Sequence, residues 1–178
     1  MTGMGVAVDR RHAEPVLRRR RTRALLAAAL WLAVLANAAL MVWLWVRGGG
    51  LSGVDSAGAL LTSLSRITGL LGAYLALLQV LLLARIPWLE RLAGLDRLSI
   101  WHCWNGHACL YLVLAHVVLV VWGYALLDPV TIPAEISTML AGGVYPGMIT
   151  ATVGTVLLVA VVVSSIVIVK RRLPYEAW

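Results

Sequence analysis

Four apolar blocks divide this chain, at about 24–46, 60–84, 100–124 and 148–169. A membrane-crossing helix needs about 20 consecutive, predominantly apolar residues, and each block reaches that length. The fourth block is rich in valine and isoleucine, a composition that suits strands in water-soluble proteins. At its length, and beside three similar blocks, it is predicted to be a helix. Gly48-Gly49-Gly50 begins a flexible loop after the first block. The 125–147 connection, with Asp128, Pro129, Pro133 and Gly142-Gly143, reads as an exterior loop with a short interfacial helix near 134–140. Arginines ahead of the first block, with Ala36-Asn37-Ala38 inside it, resemble a secretory signal. The apolar run continues through Met41-Val42-Trp43-Leu44-Trp45-Val46, too far for a typical signal core, so the segment is read as a retained span. The predicted fold class is all-α integral membrane protein with four transmembrane helices.

Composition agrees: 61% of the 178 residues are hydrophobic and only 13% charged, which excludes an ordinary soluble domain. The net charge of +7 would suit nucleic acid, but its distribution argues for a bilayer partner instead. Arg10, Arg11 and the Arg18–Arg23 cluster precede the first span. Arg85, Arg91 and Arg97 separate the second from the third, and Lys170, Arg171 and Arg172 follow the fourth. With four alternating spans these all fall on one side, and only Arg47 and Arg66 fall towards the other. The positive-inside rule then places both termini in the cytoplasm. The expected location is the plasma (inner) membrane. Residues 1–23 are expected to form a disordered basic tail on anionic headgroups; without interleaved aromatics they make no nucleic-acid interface.

His102 and His116 lie inside the third block, fourteen residues apart. That is close to four helical turns, so both imidazoles leave nearly the same face, about 21 Å apart along the axis. Polar side chains in a span are costly and imply a site. Imidazole is a good ligand for haem iron and other metals, whereas a tetrahedral zinc site needs further ligands, and this span has no carboxylate. Gly106 and Gly123 follow on nearly the same face, where a missing side chain would let a flat macrocycle approach the backbone. His102 and His116 are therefore the candidate metal ligands, with Gly106 and Gly123 as cofactor-cradling positions. The competing reading is that the histidines only hydrogen-bond to a neighbouring helix. For His107, rotated well away from both, an interhelical hydrogen bond or a partnership with another polar group is the preferred reading. Arg66, at a depth comparable with His116, is either a counter-charge for a haem propionate or a snorkelling side chain. Cys103 and Cys109, without a CxxC spacing, read as small buried hydrophobes.

At these residues the chain resembles the transmembrane domain of the ferric reductase and NADPH oxidase family. The similar stretch starts near Ile67-Thr68-Gly69-Leu70-Leu71 and passes through Ala84-Arg85-Ile86-Pro87-Trp88-Leu89-Glu90 and Leu95-Asp96-Arg97-Leu98. It reaches Trp101-His102-Cys103-Trp104-Asn105-Gly106 and Ala115-His116, and closes on Arg171-Arg172-Leu173-Pro174-Tyr175-Glu176-Ala177-Trp178. The resemblance covers roughly residues 60–178. It implies a six-helix bundle holding two stacked b-type haems, each between one histidine of the third helix and one of the fifth. His102 would ligate the inner haem and His116 the outer. Electrons would come from FAD and NADPH bound by a missing segment or a partner chain.

Two departures accompany the resemblance. The family more often has an apolar residue before the glycine that is Gly106 here, and His107 is additional. The fifth helix, with its second-ligand histidines, and any Gly-rich nucleotide-binding segment are absent, so the domain at 24–178 is expected to be truncated before the fifth helix. The expected function is a membrane haem-binding component of a ferric reductase-like oxidoreductase, passing electrons across the membrane. The alternatives are a small membrane interaction subunit or an inert fragment with structural histidines. A quinol-oxidising dihaem cytochrome is disfavoured because spans one, two and four contain no histidine.

Overall fold

A computed structural model describes residues 10–141 and 145–172. Residues 1–9 of the predicted tail, Gly142-Gly143 of the 125–147 connection and the 173–178 ending lie outside the described residues. The described chain is helical: α1 (Arg10–Trp45), α2 (Ala57–Leu83), α3 (Pro87–Ala93), α4 (Leu95–Leu127), α5 (Ile132–Leu140) and α6 (Met148–Arg172). Four stretches are long and apolar enough to cross a membrane: Ala24–Gly50, Ala57–Leu83, Leu95–Leu127 and Met148–Ile168. At about 1.5 Å per residue, the 27 residues of α2 extend about 40 Å, more than the hydrocarbon core of a bilayer.

Three features differ from the sequence expectation. The basic segment is not irregular from Arg10 onward, because α1 begins there and carries the arginine cluster into the first span. Arginine is a good helix former, and the following apolar residues extend the same helix. The glycine triplet is not simply a loop: Val46–Gly50 continues from α1 as a wide turn with a kink at Gly49, whose φ of 86° is a left-handed conformation that favours glycine. Ser63 Oγ donates to the Gly50 carbonyl and ties this turn to α2. Finally, α3 is an additional short helix between the second and third spans, started by Pro87 at its first position.

The principal packing is α2 against α4, antiparallel. Along α2, Gly58, Thr62, Ser65, Gly69 and Gly72 recur at alternating spacings of four and three, the period that keeps one stripe facing one partner. Along α4, His102, Cys109, His116 and Gly123 recur every seven residues. Without a hydrophobic drive between helices in lipid, small residues favour association by letting backbones approach. A Cβ on Gly123 would stand 2.7 Å from Thr62 Cγ2 and 2.8 Å from Thr62 N, and one on Gly58 would stand 3.0 Å from the Gly123 carbonyl oxygen. Midway, Cys109 Sγ donates to the Gly72 carbonyl at 3.5 Å. Helix α1 joins through Tyr74 Oη, which donates to the Val34 carbonyl at 3.1 Å, and through an edge-to-face pair of Trp31 with Trp101, ring centroids 5.1 Å apart.

Candidate functional site

Seven-residue recurrence places His102 and His116 on the same side of α4, and that side faces α2. Both are half-buried. The two rings meet different partners, and the difference decides what each nitrogen can do.

His116 lies over Gly69, where a Cβ would come within 2.6 Å of the ring Nδ1. Its Nδ1 is 2.7 Å from the Ser65 carbonyl oxygen. A carbonyl only accepts, so Nδ1 carries the proton and donates it. In the neutral ring, Nε2 then keeps a lone pair, which takes no hydrogen bond among the described residues. A histidine that donates one ring N–H to a backbone carbonyl while presenting the other nitrogen is in the orientation and tautomer a metal ligand needs.

His102 meets a polar cluster. Asn105 Nδ2 donates to the Leu75 carbonyl at 2.8 Å and to Gln79 Oε1 at 2.7 Å. Gln79 Nε2 lies 3.0 Å from the His102 carbonyl oxygen and 3.0 Å from His102 Nε2. Here the amide is the donor, so Nε2 accepts and the ring proton sits on Nδ1. That Nδ1 is buried without a hydrogen-bond partner.

The remaining candidates fall as follows. Gly106 faces Gln79, whose Nε2 would be 2.9 Å from an added Cβ, and Gly123 faces Thr62. The space expected for a macrocycle at these two glycines is filled by α2 side chains. Arg66 is exposed on α2, next to the Ser65 that anchors His116, which places it near the His116 level. His107 is exposed and donates Nδ1–H to the Cys103 carbonyl of its own helix at 2.7 Å, so of the two expected roles it takes that of a partner for another polar group and not an interhelical bond. Cys109 is buried as expected, while Cys103 is exposed. Sequence reasoning missed Ser65 and Gln79. Gln79 carried a signal, an uncharged polar side chain inside an apolar run. The Ser65 contribution is a backbone carbonyl and leaves no trace in residue type.

The ferric reductase-like transmembrane component family matches residues 68–178, more than half the chain. The chain belongs to that family. No curated protein and no solved structure matches it. The family match contains both α4 histidines, Gly106, Gly123 and Gln79; Ser65 and Arg66 lie just ahead of it. Family membership and four apolar helices make this an all-α, multi-pass membrane protein, related to the membrane components of oxidoreductases. Haem is the group the family implies. The residues present suit it at His116, where a nitrogen lone pair is bare and the opposite N–H is anchored. At His102 they do not, because Nε2 is taken by Gln79, Nδ1 is buried, and Gln79 fills the space beside Gly106.

Proposed function

We propose that this ferric reductase-like chain is the haem-binding membrane component of an oxidoreductase and passes electrons across the bilayer through two stacked b-type haems. The observation that carries the reading is the state of His116: Nδ1–H held by the Ser65 carbonyl, Nε2 left to ligate. In the family arrangement His116 would hold the outer iron and His102 the inner one, although His102 as packed here offers no free nitrogen. Further ligands for the haems would come from a helix in another segment or a partner chain. FAD and NADPH would bind to such a partner or segment. Bound haem would supply one-electron chemistry; its potential would be tuned by the ligating imidazole, the hydrogen bonds of that imidazole and its burial.

This chain's own residues orient and insulate. Ser65 fixes the His116 tautomer and the ring plane, and Gly69 allows the ring to lie against α2. Arg66, exposed at the same level, would meet the propionates of the outer group with a positive charge. Apolar α1 and α6 would keep water from the bundle, and the plasma membrane is the proposed location.

A second reading has one observation in its favour. The Nε2 of His102 is already hydrogen-bonded to Gln79, as in a purely structural histidine. Absorbance of the purified chain after expression with haem supply separates the two. A Soret band that His116→Ala diminishes and joint replacement of His102 and His116 by alanine abolishes supports the haem reading. A chain with no histidine-dependent band is a structural subunit.

A further inference from the structure

We propose that the groove between α1 and the packed α2, α3 and α4 binds one anionic phospholipid, its acyl chain in the groove and its phosphate at the arginines of the mouth. The inference does not depend on the haem reading.

The groove is a partly open cavity of about 250 Å³. Leu30, Val34 and Ala38 of α1 form one wall, and Leu75, Leu78 and Leu82 of α2 the facing one. Trp88 of α3 and Trp101 of α4 border it towards Leu82, and Tyr74 borders the other end. From Leu30 to Ala38 the α1 wall rises about 12 Å. Its lining is almost wholly apolar. The Tyr74 hydroxyl is spent on the Val34 carbonyl, and the Asn105 amide nitrogen on the Leu75 carbonyl and Gln79 Oε1. A buried water needs about two to four polar partners, so water does not fill this space. A ligand that must hydrogen-bond is disfavoured for the same reason. An apolar cavity of about 150 Å³ accepts a benzene-sized group. This larger, elongated one takes a longer hydrocarbon, and in a bilayer that hydrocarbon is an acyl chain. Filling it restores dispersion contacts that an empty lining lacks.

The mouth supplies the headgroup chemistry. Arg85 stands three residues after Leu82, Arg91 three after Trp88, and Arg97 four before Trp101. All three are exposed. They outnumber the carboxylates of this end, Glu90 and Asp96. At the Tyr74 end the nearest basic residues, Arg66 and Arg47, are eight residues from Tyr74 and nine from Ala38. Arg85 carries a further sign. Its φ of 47° is left-handed, a conformation that favours glycine. Arginine there costs backbone strain, and strain of this kind clusters where ligands are held. Trp88, exposed three residues on, is the residue type that settles at headgroup level. Hydrocarbon and phosphate sites therefore lie in the order a phospholipid presents them.

The test titrates dioleoyl phosphatidylglycerol, dioleoyl phosphatidylcholine and glycerol 1-phosphate into the full chain in non-ionic detergent and counts adducts by native mass spectrometry. One phosphatidylglycerol should bind more tightly than any later one and more tightly than phosphatidylcholine. Glycerol phosphate, without an acyl chain, should not bind. Each arginine near a membrane surface is worth about fivefold in affinity for anionic lipid, so Arg85→Gly should weaken the first adduct about fivefold. Glycine suits the left-handed φ, so this variant should be at least as stable as wild type in detergent alone, which separates lost binding from lost folding. Ala38→Leu, which narrows the groove and leaves every arginine, should also weaken the first adduct. Equal binding of the two phospholipids, or a first adduct unchanged in Arg85→Gly, overturns the proposal at its phosphate end. A first adduct unchanged in Ala38→Leu, or equal capture of glycerol phosphate, overturns it at its acyl end. A dimer whose formation expels the adduct gives the groove to a second copy and overturns it entirely.

Discussion

Replacing Gly69 by alanine tests how His116 is held. The added Cβ would stand 2.6 Å from the His116 Nδ1, 2.9 Å from Cε1 and 3.2 Å from Cγ. The first two distances are shorter than carbon and nitrogen tolerate, so the ring must move away from α2. Moving it breaks the 2.7 Å bond to the Ser65 carbonyl. Loss of that bond costs about 1 kcal/mol. Overpacking a tight interface adds about 1–3 kcal/mol. Against this, alanine in place of glycine inside a helix returns about 1 kcal/mol. The net expectation is a destabilisation of about 1–3 kcal/mol, using those same magnitudes. Reversible unfolding of the chain in mixed detergent micelles measures it, and the His116 Nδ1–H resonance measures the loss of the anchor. A Gly69→Ala chain as stable as wild type or more so, with that resonance unmoved, would refute the reasoning, because helix propensity alone would then have decided the outcome.

Three further outcomes are expected. Gly123→Ala places a Cβ against the Thr62 backbone nitrogen, which cannot swing aside as a side chain can; a loss of about 1–3 kcal/mol is expected in the same unfolding assay, and unchanged stability would show that α2 and α4 are not so closely packed. Ser63→Ala removes the donor to the Gly50 carbonyl; it should cost about 1 kcal/mol and speed proteolysis of the turn at 48–53, whereas an unaltered cleavage rate would deny the tie. The third concerns Glu135 on α5, fully buried with its Oε1 unpartnered. Burial, and secondarily the negative charge of Asp128, hold its carboxyl above the usual carboxylate range. The folded state therefore favours the protonated acid: its stabilising contribution is fully present below the ordinary carboxylate pKa and is lost as pH rises through the elevated value. Hydrogen exchange in α5 should accelerate across that window in wild type and not in Glu135→Gln, and identical pH profiles would contradict it.

The spans, the single-sided placement of His102 and His116 and the short helix α5 were legible in the sequence because each depends on one segment's own periodicity. What those histidines touch was not. Ser65, Gly69 and Gln79 become relevant only once the antiparallel register of α2 on α4 is known, and no spacing within either helix contains that register. Gly106 and Gly123 show the same division. Their alignment with the histidines follows from counting, but the bare faces meet Gln79 and Thr62 of α2 instead of an open slot. The helical start at Arg10 was hidden for another reason: hydropathy marks where a helix enters lipid, and α1 begins in its polar, arginine-rich segment before that point.

The most direct test of the central claim is nitrogen hyperfine spectroscopy on the full chain with isotopically labelled histidine, loaded with ferric haem. A coupling from a histidine nitrogen that disappears in His116→Ala is the predicted result. A haem signal with no histidine coupling, or one whose histidine couplings are all unchanged in His116→Ala, would contradict the assignment of His116 as the prepared ligand.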